Sequence, residues 1–178
     1  LQLNRKENFM DTLEAIHGRR SVRRYQDKPV PEELVRKLLA AGMSAPSARD
    51  AQEWHFVVID DRAMLTEIGE INPNAKMARH APMAILVCGD LGLEKSAGYW
   101  VVDCAAAVEN ILLAAHALGL GAVWTGVYPR QKRMDGLRRL VGLPEGIMAH
   151  SLIVVGYPAE QPSPQDRYRP DRVRRNRW

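Results

Sequence analysis

The chain has 178 residues, 46% of them apolar and 26% charged, ordinary globular values that suit one domain with a real hydrophobic core. Its formal net charge is +4 and its pI lies near 9.3; this mild arginine excess favours phosphate-bearing partners without separating a nucleic acid from a nucleotide cofactor. The two cysteines, Cys88 and Cys104, sit in the apolar stretches AILVCGD and VVDCAAAV with no CxxC pair or Cys/His cluster, so a metal site is not expected and two buried thiols in a reducing cytoplasm are.

The opening LQLNRKENF lacks the apolar core of a signal peptide. Met10, Leu13 and Ile16 recur at helical spacing, with Asn8 or Asp11 as cap and Gly18 as exit. Directly after this helix, IHGRRSVRRYQDKPVP (16–31) holds Arg19, Arg20, Arg23 and Arg24 in six positions. A helix C-terminus carries partial negative charge and repels anions, so a phosphate placed here would need guanidinium forks. The other reading is a set of solvated arginines that stabilise the helix end. Pro31, Glu32 and Glu33 start a second helix whose buried face is Leu34, Val35, Leu38, Leu39 and Met43, and SAPSARD ends it in a loop.

From there the pattern alternates. WHFVVID (54–60) reads as a strand, a short helix begins near Asp61, and MAILVCG (83–89) is a strand apolar on both faces. Residues 96–118 form a long helix, GAVWTGVY (121–128) a strand, 131–141 a helix and HSLIVVGYP (150–158) a strand. Residues 159–178 are an extended basic tail. Strands of this kind need helices on both sides, which predicts one α+β or α/β domain around a central sheet of four or five strands. The long helix carries Asp103, Glu109, Asn110 and His116, so it reads as a buried helix and not a membrane span. It is apolar around most of its circumference, and burying it predicts a homodimer.

No P-loop and no GxGxxG after a strand is present, and no nucleophilic triad or histidine cluster. GLGLGAVWTG enters a strand, and its glycines suit close backbone approach to something flat.

Taken together and in order, RRSVRRY, AAGMSAPSARDAQEWHFVV, AAAVENILLAAHALGLGAVWTGVYP and the closing LIVVGYP with its basic tail resemble the nitroreductase family of FMN-dependent oxidoreductases, from about Met10 into the tail. The resemblance implies a three-layer, mainly antiparallel α+β fold, a single FMN-binding domain over 1–178 and a homodimer with FMN at the subunit interface. It places Arg19, Arg20, Ser21 and Arg23 against the phosphate, ribityl chain and pyrimidine edge. Pro46, Ser47 and Ala48 would come from the partner subunit onto the ring. Trp124, Thr125 and Gly126 would bring backbone groups to the flavin, and Arg172 or Arg169 in the tail would return to the phosphate. Asp103 on the long helix and Asn74, with Lys76, before the second strand are further cofactor candidates. The chain departs from the family pattern where Asp50 replaces Asn and Glu53 replaces Pro.

The activity so implied is hydride transfer from NADH or NADPH to FMN N5 and on to an electron-poor acceptor such as a nitroaromatic or quinone, in the cytoplasm. Here the cofactor does the hard step; no residue is assigned as a proton-transfer catalyst, and Arg23 is the guanidinium expected near N1 and O2. Neither nucleic acid nor membrane is expected as a partner. Three other readings remain: a flavin carrier or sensor on the same fold; a related member that remodels flavin or dehalogenates aromatics; and a nucleic-acid binder using DRYRPDRVRRNRW with Tyr168 and Trp178 as stacking residues.

Overall fold

A computed structural model describes residues 10–178; Asn8 and the rest of LQLNRKENF lie outside the described residues. In chain order the elements are α1 (Thr12–Gly18), α2 (Glu32–Met43), β1 (Trp54–Ile59), α3 (Arg62–Ile71), β2 (Met83–Asp90), α4 (Trp100–Ala117), β3 (Gly121–Gly126), α5 (Gln131–Val141) and β4 (Ile147–Gly156). Short 3-10 segments fall at Ala48–Asp50, Pro73–His80 and Pro170–Arg172.

The helix starts follow from capping chemistry. Asp11 caps α1, its carboxylate accepting from Leu13 N and Glu14 N at 2.9 and 3.4 Å. Asp61 does the same for α3 through Met64 N. Pro31 stands one residue outside α2, as its cap, with Glu32 and Glu33 in the positive first turn. The long helix begins at Trp100, four residues later than its composition suggested, because Ser96–Tyr99 forms a turn held by the bond from Tyr99 N to Ser96 O.

The four strands are ordered β1-β2-β4-β3, and every neighbouring pair is antiparallel. The sheet is therefore at the lower end of the expected four to five strands. What comes nearest to a fifth is the RRSVRRY segment. Ser21 makes a parallel bridge to Ala122 at the free edge of β3, and Tyr25 bridges Pro158.

Period-two alternation sends the sheet's side chains into two cores. Met83, Ile85 and Val87 of β2, with Ile153 and Val155 of β4, pack beneath α4 and α2. Ala84, Leu86 and Cys88, with Leu152 and Val154, pack against α3, α5 and the 73–80 segment. This makes three layers. The β2–β4 register shifts between Val87, opposite Ser151, and Cys88, opposite Ala149, so His150 is the extra residue of a bulge on β4.

Helix α4 fills the first core with Cys104, Ala107, Val108, Ile111 and Ala115, all fully buried. In the single chain its other flank is open: Val102 is 61% exposed and Leu113 half-buried. Helix α1 also departs from expectation. Ala15 is its buried residue, whereas Leu13 and Ile16 face outward at 63% and 47% exposure.

Candidate functional site

The arginine-rich segment is held along the β3 edge by three anchors. Val22 is buried and its N–H donates to Ala122 O at 3.0 Å. Gly121 allows this approach: a Cβ there would stand 2.7 Å from Val22 Cγ1. The Tyr25 hydroxyl donates to Val22 O and Val154 O at 2.6 and 3.1 Å, and burial pushes its ionisation well above the ordinary range. Glu160 is the third anchor. Its carboxylate accepts from Arg23 N at 2.6 Å, Arg24 N at 3.2 Å and Arg24 Nε at 3.0 Å. These bonds, that from Arg23 N first, hold its carboxyl below the usual range.

The four arginines are thereby sorted. Arg24 is engaged by Glu160. Arg20 donates to Ser163 O and Gln165 O, tying down the tail. Arg19 pairs with Glu109 of α4 at 3.3 Å. The Arg23 guanidinium makes no hydrogen bond or ion pair among the described residues; only its backbone N–H is committed. A cavity of about 640 Å³ opens beside this segment, lined among others by His17, Arg19, Arg20, Leu112, His116 and Pro162. Burial, then the Arg19 charge, lowers the His116 pKa.

At the far end of β3, Thr125 is buried and donates to Leu152 O at 3.0 Å. Gly126 is exposed, and a Cβ added there would meet nothing within 4 Å. Its backbone thus presents an open face, while Arg133 Nη1 and Asn72 Nδ2 donate to its carbonyl at 2.7 and 3.3 Å. Sequence reasoning missed Asn72 and singled out Asn74. Asn72 is fully buried and also reaches Thr125 Oγ1 at 3.4 Å; Asn74 and Lys76 are exposed. The signal was there: Asn72 precedes a Pro at the first position of a helical turn, and its side chain accepts from Asn74 N.

Trp124 is 38% exposed and tilts against His150 at 6.1 Å between centroids. Trp100 meets both Tyr128 and His150 edge-on at 5.0 and 5.8 Å. His150 is buried in this aromatic group, and burial pushes its pKa down to about 4, so the ring is neutral at pH 7. Nothing in the residue spacing pointed to this cluster, because its members come from α4, β3, β4 and the loop after β3.

The 46–52 loop is anchored elsewhere. Ala48 N donates to Asp103 Oδ2 at 2.8 Å, and Ser47 Oγ accepts from Gln52 N at 3.0 Å. Asp103 is thus occupied by this loop. It lies in the first turn of α4, six residues and about 9 Å of helix rise before Glu109, where the arginine segment is tied. Arg169 and Arg172 lie on the exposed tail, where Arg169 bonds Tyr168 O; among the described residues neither makes an ion pair. Within one chain the structure therefore gathers Arg19, Arg20, Ser21 and Arg23 at one end of β3 and Trp124, Thr125 and Gly126 at the other. Pro46, Ser47 and Ala48 sit with Asp103 at the start of α4.

Both cysteines are buried and unpaired, with Cys104 Sγ 3.6 Å from Cys88 O. Burial raises both thiols, Cys88 to about 12, so neither is a ready thiolate at neutral pH.

The comparisons agree with this architecture. The model of the nitroreductase family matches residues 16–72 and 71–157. A Methanothermobacter thermautotrophicus protein named "Putative NADH dehydrogenase/NAD(P)H nitroreductase" is 52% identical over 178 residues, covering 100% of this chain and 93% of that one. A crystal structure of a protein with the same name from Parabacteroides distasonis superposes with a TM-score of 0.90 at 44% identity, over 94% of this chain and 98% of that chain. A Desulfovibrio desulfuricans structure, described as a "putative nitroreductase in complex with fmn", gives 0.82 at 32% identity over 95% and 98%. With a family match across both halves of the sheet and an α+β fold of four antiparallel strands between helix layers, the chain belongs to the nitroreductase family.

Proposed function

We propose that this nitroreductase-family protein is an oxidoreductase that binds FMN along the β3 edge and passes electrons from NADH or NADPH to a small electron-poor acceptor. The observation that carries the reading is the pairing of an uncommitted guanidinium with an exposed glycine, Gly126, at the far end of the same strand edge, where a Cβ would meet nothing within 4 Å. Ser21 bridges Ala122 at the start of β3 and Gly126 ends that strand. Four residues of strand span about 13 Å, a length suited to an extended mononucleotide with its phosphate and ring at opposite ends. The donor set also fits: Arg19 and Arg23 for anionic groups, Ser21 as a hydroxyl, and the Gly126 backbone for a flat ring.

When bound, FMN supplies two-electron redox chemistry at its ring. The chain's own residues bind and orient it. Arg23 would supply positive charge beside the ring, Thr125 and Gly126 would fix its approach, and the exposed Trp124 would flank it. Nitroaromatics and quinones are the electron-poor acceptors this reading implies.

A homodimer completes the reading. Leu13, Ile16 and Val102 are exposed apolar side chains on α1 and α4, as expected where a second copy covers them. Pro46, Ser47 and Ala48 would then reach the partner's cofactor, with Arg169 or Arg172 of the tail closing on its phosphate. The test is direct. Heat release and chromatography should recover FMN, and anaerobic NADH or NADPH should bleach the absorbance near 450 nm that flavins show. Recovery of FAD, or of no flavin after incubation with FMN, overturns the cofactor; yellow protein that neither nucleotide bleaches favours the carrier.

A further inference from the structure

Glu53 stands just before β1 and is 0% exposed, yet neither carboxylate oxygen has a hydrogen-bond partner among the described residues. A buried ionised carboxylate without donors is among the most costly arrangements a fold can hold. Within hydrogen-bonding reach of it is a second carboxylate, Asp103 of α4, 5% exposed, whose Oδ2 already accepts from Ala48 N at 2.8 Å. Asp103 thus links Glu53 to the loop that precedes it.

That loop has an unusual backbone. Arg49, Asp50 and Gln52 all have positive φ, at 56°, 52° and 51°. Non-glycine residues in this region persist where the surroundings over-determine them. Here the holding contacts are few: Ala48 N to Asp103, Gln52 N to Ser47 Oγ, Gln52 Nε2 to Asp50 Oδ1, and Lys95 Nζ to Arg49 O and Asp50 O.

We propose that Glu53 and Asp103 share one proton, and that this proton locks the 47–52 loop in its left-handed shape. Protonated Glu53 donates to the Asp103 carboxylate, which keeps its other oxygen for Ala48 N. The pair then carries one negative charge instead of two. Loss of the proton to solvent leaves two carboxylates facing each other out of water, and Glu53 relieves the repulsion by swinging outward and peeling the loop from α4.

The surroundings favour the protonated state. Burial raises the Glu53 pKa, and the charges of Asp103 and Glu94 act in the same direction; its own backbone N–H works against them. The other titratable groups around the pair do not supply a compensating cation. Cys104 on α4 and Cys88 on β2 are neutral thiols. Asp90 of β2 is acidic, and its N–H bonds Glu53 O. Glu94 accepts from Trp100 N. Arg49 binds Lys95 O, and Lys95 is turned to the loop carbonyls. Because the native pKa is raised, the lock is present at low pH and is lost as pH rises through that value.

The lock concerns the loop itself; it bears on catalysis only through the reading that Pro46, Ser47 and Ala48 pack on FMN. Hydrogen–deuterium exchange of peptides spanning 44–53, followed from the ordinary glutamate range, about pH 4.5, up through pH 9 and corrected for the intrinsic rate, tests it on the purified protein. The wild type should lose protection at least tenfold as pH rises. Glu53→Gln and Asp103→Asn should each stay protected throughout, since each replaces the shared proton by an amide donor. A flat wild-type profile overturns the proposal, as do variants that fold and keep the wild-type slope. A purely structural role would lower protection without flattening its pH dependence. FMN titrations over the same range separate the two readings: a titrating loop with pH-independent affinity leaves the lock standing and removes the loop from the cofactor site.

Discussion

Arg23→Ala and Arg24→Ala form the sharpest test of the site, because the two side chains are sequence neighbours with different surroundings. Arg24 pairs with Glu160 at 3.0 Å, but it is 74% exposed, so solvent screening leaves the pair about 0–1 kcal/mol. Its removal also spares the bonds from Arg23 N and Arg24 N to Glu160, and the segment stays in place. FMN affinity should then change less than about twofold. Arg23→Ala leaves the same backbone bond intact and removes only the guanidinium. One charge-assisted contact to the cofactor is worth about 1.5–3 kcal/mol, so affinity should fall about 10- to 150-fold, with slower reduction by NAD(P)H. Titration of apoprotein with FMN, followed by quenching of flavin fluorescence, reads both variants in one assay. Equal losses, falling together as salt is raised, would mean that the cluster acts as a diffuse field, and the assignment of Arg23 would be wrong.

Two glycines of β3 should separate stability from binding. Gly121→Ala drives a methyl against Val22 and should lower stability by about 1–3 kcal/mol and FMN affinity with it; Gly126→Ala meets no protein atom within 4 Å and should lower affinity with stability within about 0.5 kcal/mol, as urea melts and FMN titration would show. Leu113→Glu on the open flank of α4 should cost both assembly and colour, and sedimentation at the flavin absorbance that finds yellow monomers of wild-type affinity would refute the shared site. His150 is neutral in the folded chain and protonates on unfolding, so stability should fall as pH drops from 6.5 towards about 4, by about 3 kcal/mol at most. Urea unfolding at pH 7.5 and 4.5 should show this slope in the wild type and much less in His150→Gln.

Local patterning was enough to identify most elements. The helix Gln131–Val141 has the boundaries its periodicity indicated, and β2 ends within one residue of them. This follows because an apolar period of 3.6 or 2, a capping Asp or a Pro at a helix start acts over a few residues and needs no distant partner. The family was legible for a related reason: four motifs in a fixed order are a property of the chain itself. So was the arginine cluster, though only as a cluster.

What each member of that cluster does was decided by the tertiary fold. Glu160, more than a hundred residues away, engages Arg24, the tail carbonyls engage Arg20, and Glu109 takes Arg19, which leaves Arg23. Extended chain indicates that neighbouring side chains point apart, but not which side meets an acid. The strand order β1-β2-β4-β3 is likewise non-local, since β4 enters between β2 and β3 only after α4 and α5 have covered opposite faces. Glu53 shows the limit most plainly. As a letter it is a polar residue in a loop, expected in water; the packing of α4 and β2 around it makes it a carboxylate with no exposed surface. Burial is a property of the assembled layers, and with it come the titration and the chemistry that no stretch of sequence carries alone.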